Sequence, residues 1–161
     1  MESYDAELFG EFFGAFAGGL IVVGLILGLI AIAFVVVYII GLWKLFKKAG
    51  KNGWEAIIPF YNTWILVEIA GLNWWYFLIA ISGTIVSILG ISGLDTLTTL
   101  VGATVNFFVF YNLAKRMKKS EVAYGVLAIF FAPIMTMILG FSKDKYDSSI
   151  EVSPNGPIQS K

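Results

Sequence analysis

The sequence contains no cysteine and no histidine, and few of its residues are charged. The lack of cysteine excludes disulfide bonds, thiolate metal sites and a cysteine nucleophile. The lack of histidine removes the commonest general base and metal ligand. Charged residues make up 14% of the chain and hydrophobic residues 58%, whereas soluble domains contain about 25% charged residues. The composition therefore predicts a membrane protein, for which we expect no metal site, no cofactor and no enzymatic activity.

Four long apolar runs lie between the charged clusters. A helix needs about 20 apolar residues to cross the hydrocarbon core. The runs do not alternate with period two, which argues against barrel strands. We predict an all-α integral membrane protein, a four-transmembrane-helix bundle over 20–141 with spans at about 20–43, 73–93, 97–114 and 122–141. The acidic segment 1–19 is predicted to lie at the interface and the polar tail 142–161 to be disordered.

Two basic clusters predict the orientation, because lysine and arginine near spans favour the cytoplasmic side. With four spans both clusters fall on one face, so we predict that the N-terminus and the C-terminus are both outside. The acidic start is unlike a signal peptide, and we expect the cytoplasmic membrane of a prokaryote. Positive-inside topology accounts for the clusters without nucleic acid. Their expected partner is anionic lipid, bound by Lys44, Lys47, Lys48, Lys51, Lys115, Arg116, Lys118 and Lys119.

The stretch KNGWEAIIPFYNTW, residues 51–64, mixes polar and aromatic residues between two apolar runs. Pro59 disfavours helix at the residue before it and predicts a break there. We expect a short helix at about 60–70, before span 2, which is either interfacial or re-entrant. Indole and phenol rings favour headgroup depth. The predicted interfacial aromatics are Trp54, Tyr61, Trp64, Trp74 and Trp75.

Glu68 is an acidic residue between apolar stretches near a predicted membrane face. A carboxylate in hydrocarbon is costly, so it should pair, protonate or contact water. One interpretation is an ion pair with a nearby lysine, or headgroup exposure. The other is a proton or cation site with Asn62, Asn106 and Asn112 as polar neighbours. Asn106 lies in mid-span, where an interhelical hydrogen bond that holds helices together is the alternative to ligand contact.

Small residues at a spacing of four indicate close helix contacts, either within one bundle or in a homo-oligomer. Pro133 in span 4 is predicted to kink that helix and to free the carbonyl of Ile129. A local change of shape and a gating hinge are the two interpretations of that kink. The predicted packing positions are Gly14, Gly18, Gly24, Gly28, Gly83 and Ser87.

Four motifs together resemble an uncharacterised family of small polytopic membrane proteins with a GW-x4-PFYN block. They are KKAGKNGW before the block, PFYN at Pro59–Asn62, YNLAKRMKKS at 111–120 and LGFSKDKY at 139–146. The similarity covers about 40–146. Some relatives carry this module ahead of a signal-peptidase-I domain or are named after it. The sequence has no folded outer region to hold the serine and lysine of such an enzyme, so the resemblance implies membrane topology and no reaction.

Three functions are compatible with the sequence. The first is a non-enzymatic membrane scaffold or partner subunit, which would act through helix packing and its basic cytoplasmic face, with a protein partner or by self-association. The second is an oligomeric channel or transporter for a small ion or solute, which would use Glu68 and the span asparagines. The third is an enzyme or accessory factor for the processing of exported proteins or lipids.

Overall fold

The computed structural model describes residues 2–90 and 93–153, and these residues form helices and connecting turns without a strand. The prediction of an all-α chain is therefore confirmed for the described part. The helices are α1 (Glu2–Lys48), α2 (Tyr61–Ile69), α3 (Trp75–Ile88), α4 (Asp95–Arg116) and α5 (Glu121–Phe141), with a 3₁₀ helix at Gly53–Ile57 between α1 and α2.

Three segments are long and apolar enough to cross a membrane: Phe9–Lys48, Thr96–Arg116 and Glu121–Phe141. The helix in the region of predicted span 2 is α3, which has only 14 residues. Its length is about 21 Å at 1.5 Å per residue, less than the core of about 30 Å. Among the described residues, length and composition thus support three candidate spans instead of the four predicted.

The chain divides into two compact units, Met1–Val37 and Tyr38–Lys161. The described part of the first unit is the N-terminal portion of α1, which continues without a break through the predicted boundary between residues 19 and 20. None of its side chains from Phe9 to Val37 is buried. A lone apolar helix can satisfy its backbone hydrogen bonds internally in lipid, so this unit needs no core of its own.

The second unit has a hydrophobic core to which α1 contributes its last turns. Burial is complete or nearly so for side chains from α1, α2, α4 and α5, including Leu42, Phe46, Ile65, Phe110, Leu113 and Leu139. The core therefore lies where α1 ends, next to the short helix α2 and the C-terminal halves of α4 and α5.

Helices α3 and α4 form an antiparallel hairpin. The rings of Tyr76 and Phe108 meet edge to face with centroids 5.9 Å apart. Further along, a Cβ at Gly83 would lie 3.5 Å from Thr98 Cβ. The turn between the helices contains Gly90 (φ 64°) and Gly93 (φ 94°), which adopt left-handed conformations that glycine tolerates at little cost. The two helices therefore run side by side from this turn towards α2.

Helix α5 folds back on itself. Its helical geometry breaks at Phe131 (φ −130°, ψ 36°), two residues before Pro133. Lys119, just before α5, donates to the carboxylate of Asp144, just after it, with 2.8 Å between Nζ and Oδ2. A straight helix of 21 residues would separate these ends by about 30 Å, far beyond the reach of one lysine side chain. The two halves of α5 thus form a V, and both ends of α5 lie at the same end of the unit.

The apolar helix predicted at 122–141 is present as α5 and is long and apolar enough to cross a membrane. Its bend differs from the fourth span that was predicted to carry the chain to the opposite face. The structure also differs from the prediction of a disordered tail at 142–161. Residues 142–153, which we call the C-terminal segment, pack against the unit, and Val152 is buried. The segment is polar in composition, and only a few of its side chains attach it, so its sequence did not predict the packing. Residues 154–161 lie outside the described residues.

Candidate functional site

The C-terminal end of α1, the connection between α4 and α5, and the C-terminal segment lie together at one end of the second unit, which we call the basic end. The pairing of Lys119 with Asp144 joins two of these parts, and Lys48 joins the third. Its Nζ donates to the carbonyls of Leu139 (2.7 Å) and Ser142 (2.5 Å). The basic end carries ten of the eleven cationic residues of the chain, namely Lys44, Lys47, Lys48, Lys51, Lys115, Arg116, Lys118, Lys119, Lys143 and Lys145.

Arg116 attaches both α2 and the C-terminal segment to α4. Its Nη1 donates to the carbonyl of Ile69 at 2.7 Å and to the hydroxyl of Tyr146 at 2.6 Å. The Tyr146 hydroxyl donates in turn to the same Ile69 carbonyl at 2.7 Å. The backbone N–H of Asp147 donates to the Arg116 carbonyl at 3.0 Å. These bonds satisfy a carbonyl at the C-terminus of α2, which its own helix leaves without a partner.

The hydrogen bond between Asp147 and Arg116 differs from what four straight spans would require. With four straight spans, residues after 141 would lie across the bilayer from Arg116. Atoms that share a hydrogen bond cannot lie on opposite sides of a membrane. The C-terminal segment therefore lies at the same end of the second unit as both basic clusters, as far as Ser153.

Two ion pairs add to this attachment. Lys119 pairs with Asp144, and Lys118 lies 3.9 Å from Asp147. The hydrogen bond from Lys119, with a second from Ser142, lowers the pKa of Asp144 below its ordinary value. The bond to Asp144 raises the pKa of Lys119. Both shifts favour the charged pair near neutral pH. Exposure to water limits what the pairs contribute.

Close approach of backbones joins α1 to α5. A Cβ on Gly140 would collide with the carbonyl of Gly41, and a Cβ on Gly41 would lie 3.0 Å from Met137 Cα. Glycine at both positions lets the two helices meet at backbone distance. The sequence pattern does not indicate this pair, because the two residues are far apart in the chain and neither belongs to a G-x-x-x-G repeat.

Glu68 is half exposed, with 46% of its side chain accessible, and it forms an ion pair with Lys51. It lines a cavity of about 190 Å³ together with Trp64, Val67, Leu72 and Trp74. The cavity lies where α2 leads into α3. It therefore combines two indole rings with a carboxylate.

The structure does not bring the three predicted asparagines to Glu68. Asn62 donates to the carbonyl of Ala56 at 3.4 Å. Asn112 is buried and donates to the carbonyl of Ser153 at 3.3 Å. Asn106 is half-buried in α4. None of the three is among the residues that line the cavity.

The predicted aromatic residues lie on or near the surface. Trp54, Trp64, Trp74 and Trp75 are all exposed, as is Tyr61. Trp64 meets Phe77 edge to face at 5.4 Å, and Trp75 stacks on Tyr76 at 4.0 Å. These contacts fix two of the indole rings while leaving part of their surface accessible.

The predicted packing and kink positions have different surroundings. Gly14, Gly18, Gly24 and Gly28 would admit a Cβ without meeting an atom within 4 Å, whereas Gly83 faces Thr98, and Ser87 is exposed. Near Pro59, Ile58 is extended (φ −82°, ψ 115°), as expected for a residue before proline. Phe60 then has a positive φ of 63°, and α2 begins at the next residue.

Glu55 is a buried acidic residue that sequence reasoning missed. Only 6% of its surface is accessible. Its Oε1 accepts a hydrogen bond from Asn52 at 3.2 Å, and its Oε2 has no partner within the described ranges. The position of Glu55 between Trp54 and Ala56 gave no sign of burial, because a single turn of 3₁₀ helix has no usable hydrophobic period.

Comparison with known proteins identifies a family for most of the second unit. A family described as a family of unknown function, DUF5684, matches residues 54–149. The matched region includes α2 to α5 and most of the C-terminal segment. No curated protein matches the chain, and no solved structure does.

Proposed function

The chain belongs to DUF5684, a family of unknown function, and from its structure we propose that it is a non-enzymatic membrane scaffold or partner subunit. It acts through its helix surfaces and its basic cytoplasmic end. The observation that carries this proposal is the apolar surface of the first unit. From Phe9 to Val37 no side chain is buried, so that surface is available to lipid and to other helices. The small residues along it favour close helix contacts.

The proposed topology has three crossings and one re-entrant element. Helix α1 crosses first. The hairpin of α3 and α4 crosses outward and back, and residues 70–90 run alongside α4 as its partner. Helix α5 enters and leaves on the cytoplasmic side. The N-terminus is then outside and the C-terminal segment inside, in the cytoplasmic membrane of a prokaryote.

The distribution of charge supports this topology over four straight spans. Four spans would put Lys143 and Lys145 outside, against the positive-inside tendency. With α5 re-entrant, the ten cationic residues of the basic end lie on the cytoplasmic side. There they can attract anionic lipid, at about 1 kcal/mol per basic residue near the surface.

The exposed tip of α5, where its two halves meet, supports the proposal of a protein partner. Each half of the V has about ten residues and extends about 15 Å, half the thickness of the core. Phe130 at the tip is 77% exposed, and Pro133 cannot donate to the carbonyl of Ile129. Broken helices at membrane depth are tolerated only where protein or a water-filled cavity covers them. A partner helix at the tip would provide that cover.

Photo-crosslinking in native membranes tests the proposal. A photoreactive residue would replace Phe130 at the tip or Ile26 in the first unit, with the buried Phe110 as the control position. We expect a discrete protein adduct from Phe130 or Ile26, with the partner or with a second copy, and none from Phe110. Lipid adducts alone at both exposed positions would refute the partner role.

A channel or transporter remains the alternative function, and the structure offers it little support. Of its four candidate residues, Glu68 lines the cavity between α2 and α3 and the three asparagines do not. Glu68 is also paired with Lys51. The test is ion or proton flux in liposomes with the parent chain and the Glu68→Gln variant. Flux in the parent that the substitution abolishes would favour transport.

A further inference from the structure

The cavity between α2 and α3 has the chemistry of a site for an organic ammonium ion. Two of its five lining residues are tryptophans and one is a glutamate. The faces of indole rings attract cations through the ring quadrupole, and a carboxylate accepts hydrogen bonds from an ammonium group. Trp64 is held by its edge contact with Phe77, so part of this arrangement exists before any ligand binds.

Lys51 supplies a cation beside the cavity. It binds Glu68 at Oε1 only, which leaves Oε2 for a second cation. A ligand that carries both an ammonium and a phosphate group could therefore pair with both residues, the ammonium with Glu68 and the phosphate with Lys51. A cation without a phosphate group would compete with Lys51 for Glu68 and would bind more weakly, because it has no group that pairs with Lys51.

The size and position of the cavity narrow the ligand class. Its volume of about 190 Å³ is below the range of about 300–1,000 Å³ for drug-sized ligands, so it suits a headgroup fragment. Trp74 is 62% exposed, and exposed indoles favour the depth of lipid headgroups. A carboxylate favours a primary ammonium, which can donate hydrogen bonds, over a quaternary one, which cannot.

We propose that this cavity binds the primary ammonium group of a phosphatidylethanolamine-type headgroup between Trp64, Trp74 and Glu68, with Lys51 binding the phosphate. The proposal concerns the junction of α2 and α3 and does not depend on the re-entrant path of α5. It also assigns a purpose to Glu68 that requires no transport.

Native mass spectrometry of the full chain in detergent would test the site. Lipids with identical acyl chains and ethanolamine, choline or glycerol headgroups would be added one at a time. We expect the ethanolamine lipid to bind most tightly. Glu68→Gln should weaken its binding about threefold to tenfold and shift the preference towards the anionic glycerol lipid, because Lys51 is then unpaired. The double change Trp64→Leu and Trp74→Leu should weaken binding without that shift.

Matched controls keep the test decisive. Trp54 is exposed but does not line the cavity, and Glu151 is an exposed acidic residue of the C-terminal segment. Trp54→Leu and Glu151→Gln should leave the lipid preference unchanged, and thermal unfolding would show that all variants are folded. Equal binding of the three lipids, or a preference for choline, would overturn the proposal. Equally tight binding of water-soluble phosphoethanolamine would overturn the assignment to a lipid.

Discussion

If α5 is re-entrant, Ser148 lies on the same side of the membrane as Arg116, and this prediction can be tested. The C-terminal segment is bonded to Arg116 by a backbone hydrogen bond of 3.0 Å. If α5 crossed as a straight span, the two would instead be separated by the hydrocarbon core of about 30 Å. The alternatives therefore predict opposite accessibility for one residue. Ser148 is exposed, so its replacement by cysteine should not disturb packing.

The assay is labelling with a membrane-impermeant maleimide, and the chain has no native cysteine to add background. The variants are Ser148→Cys, Lys118→Cys at the basic end, and Leu94→Cys at the turn between α3 and α4. In intact cells we expect strong labelling at Leu94 and almost none at Lys118 or Ser148. After permeabilisation all three should react.

Each outcome has a definite meaning. Labelling of Ser148→Cys in intact cells, as strong as that of Leu94→Cys, would refute the folded-back α5 and restore a fourth span. Labelling of Lys118→Cys in intact cells would reverse the orientation of the whole chain. Protection of Leu94→Cys would show that the hairpin of α3 and α4 does not cross.

Three further predictions concern stability. Gly140→Ala should lower the stability of the detergent-solubilised protein by about 1–3 kcal/mol, because the added methyl group overpacks against the α1 backbone. Gly28→Ala, whose methyl group would lie in open space, should not lower it. Equal melting temperatures for the two variants would contradict the close contact. Arg116→Lys should lose the paired donors and increase hydrogen exchange in the C-terminal segment, and unchanged exchange would show that Arg116 does not hold it. Because the folded-state pKa of Asp144 is lowered, its contribution to the stability of the attached C-terminal segment is present above its unfolded pKa of about 3.9. That contribution is lost as pH falls through the folded-state pKa. Because the folded-state pKa of Lys119 is raised, its contribution to that stability is present below its unfolded pKa of about 10.4. That contribution is lost as pH rises through the folded-state pKa. The C-terminal segment should therefore be protected from hydrogen exchange to the same degree from about pH 5 to 9. A loss of protection centred near neutrality would refute the role of the Lys119–Asp144 pair.

Much of the helical pattern could be predicted from hydropathy and proline. The short helix expected at about 60–70 corresponds to α2 at Tyr61–Ile69, and the span expected at 97–114 lies within α4, Asp95–Arg116. These elements have lengths and boundaries that local residues determine. A charged cluster follows α4, and Pro59 precedes α2.

The direction of α5 could not be predicted in this way. A re-entrant V and a straight span have the same length and composition, so hydropathy does not distinguish them. Pro133 indicates a bend but not its angle. The useful signal was the pair Lys143 and Lys145, which four spans would have placed on the unfavourable side.

The candidate site was harder to predict because it depends on contacts between distant residues. Arg116 and Tyr146 are separated by 30 positions. Each lies in a motif of the family resemblance, but neither motif indicates that the two side chains meet. Glu68 attracted attention as an isolated carboxylate, but its pairing with Lys51 and its neighbours Trp64 and Trp74 depend on how α2 turns into α3. The asparagines were grouped with it by polarity alone, and packing separates them.

The bonds at the Ile69 carbonyl have a consequence for synthesis. Helix α2 leaves the ribosome long before Tyr146 does, so a nascent chain that stops short of this tyrosine holds an incompletely capped α2 and an unanchored α4. Membrane insertion of α1 can be finished before the contacts at the basic end have formed. The contacts at the basic end therefore form only after the C-terminal segment has been synthesised. Chains that end before Tyr146 should be cleaved by protease between α1 and α2.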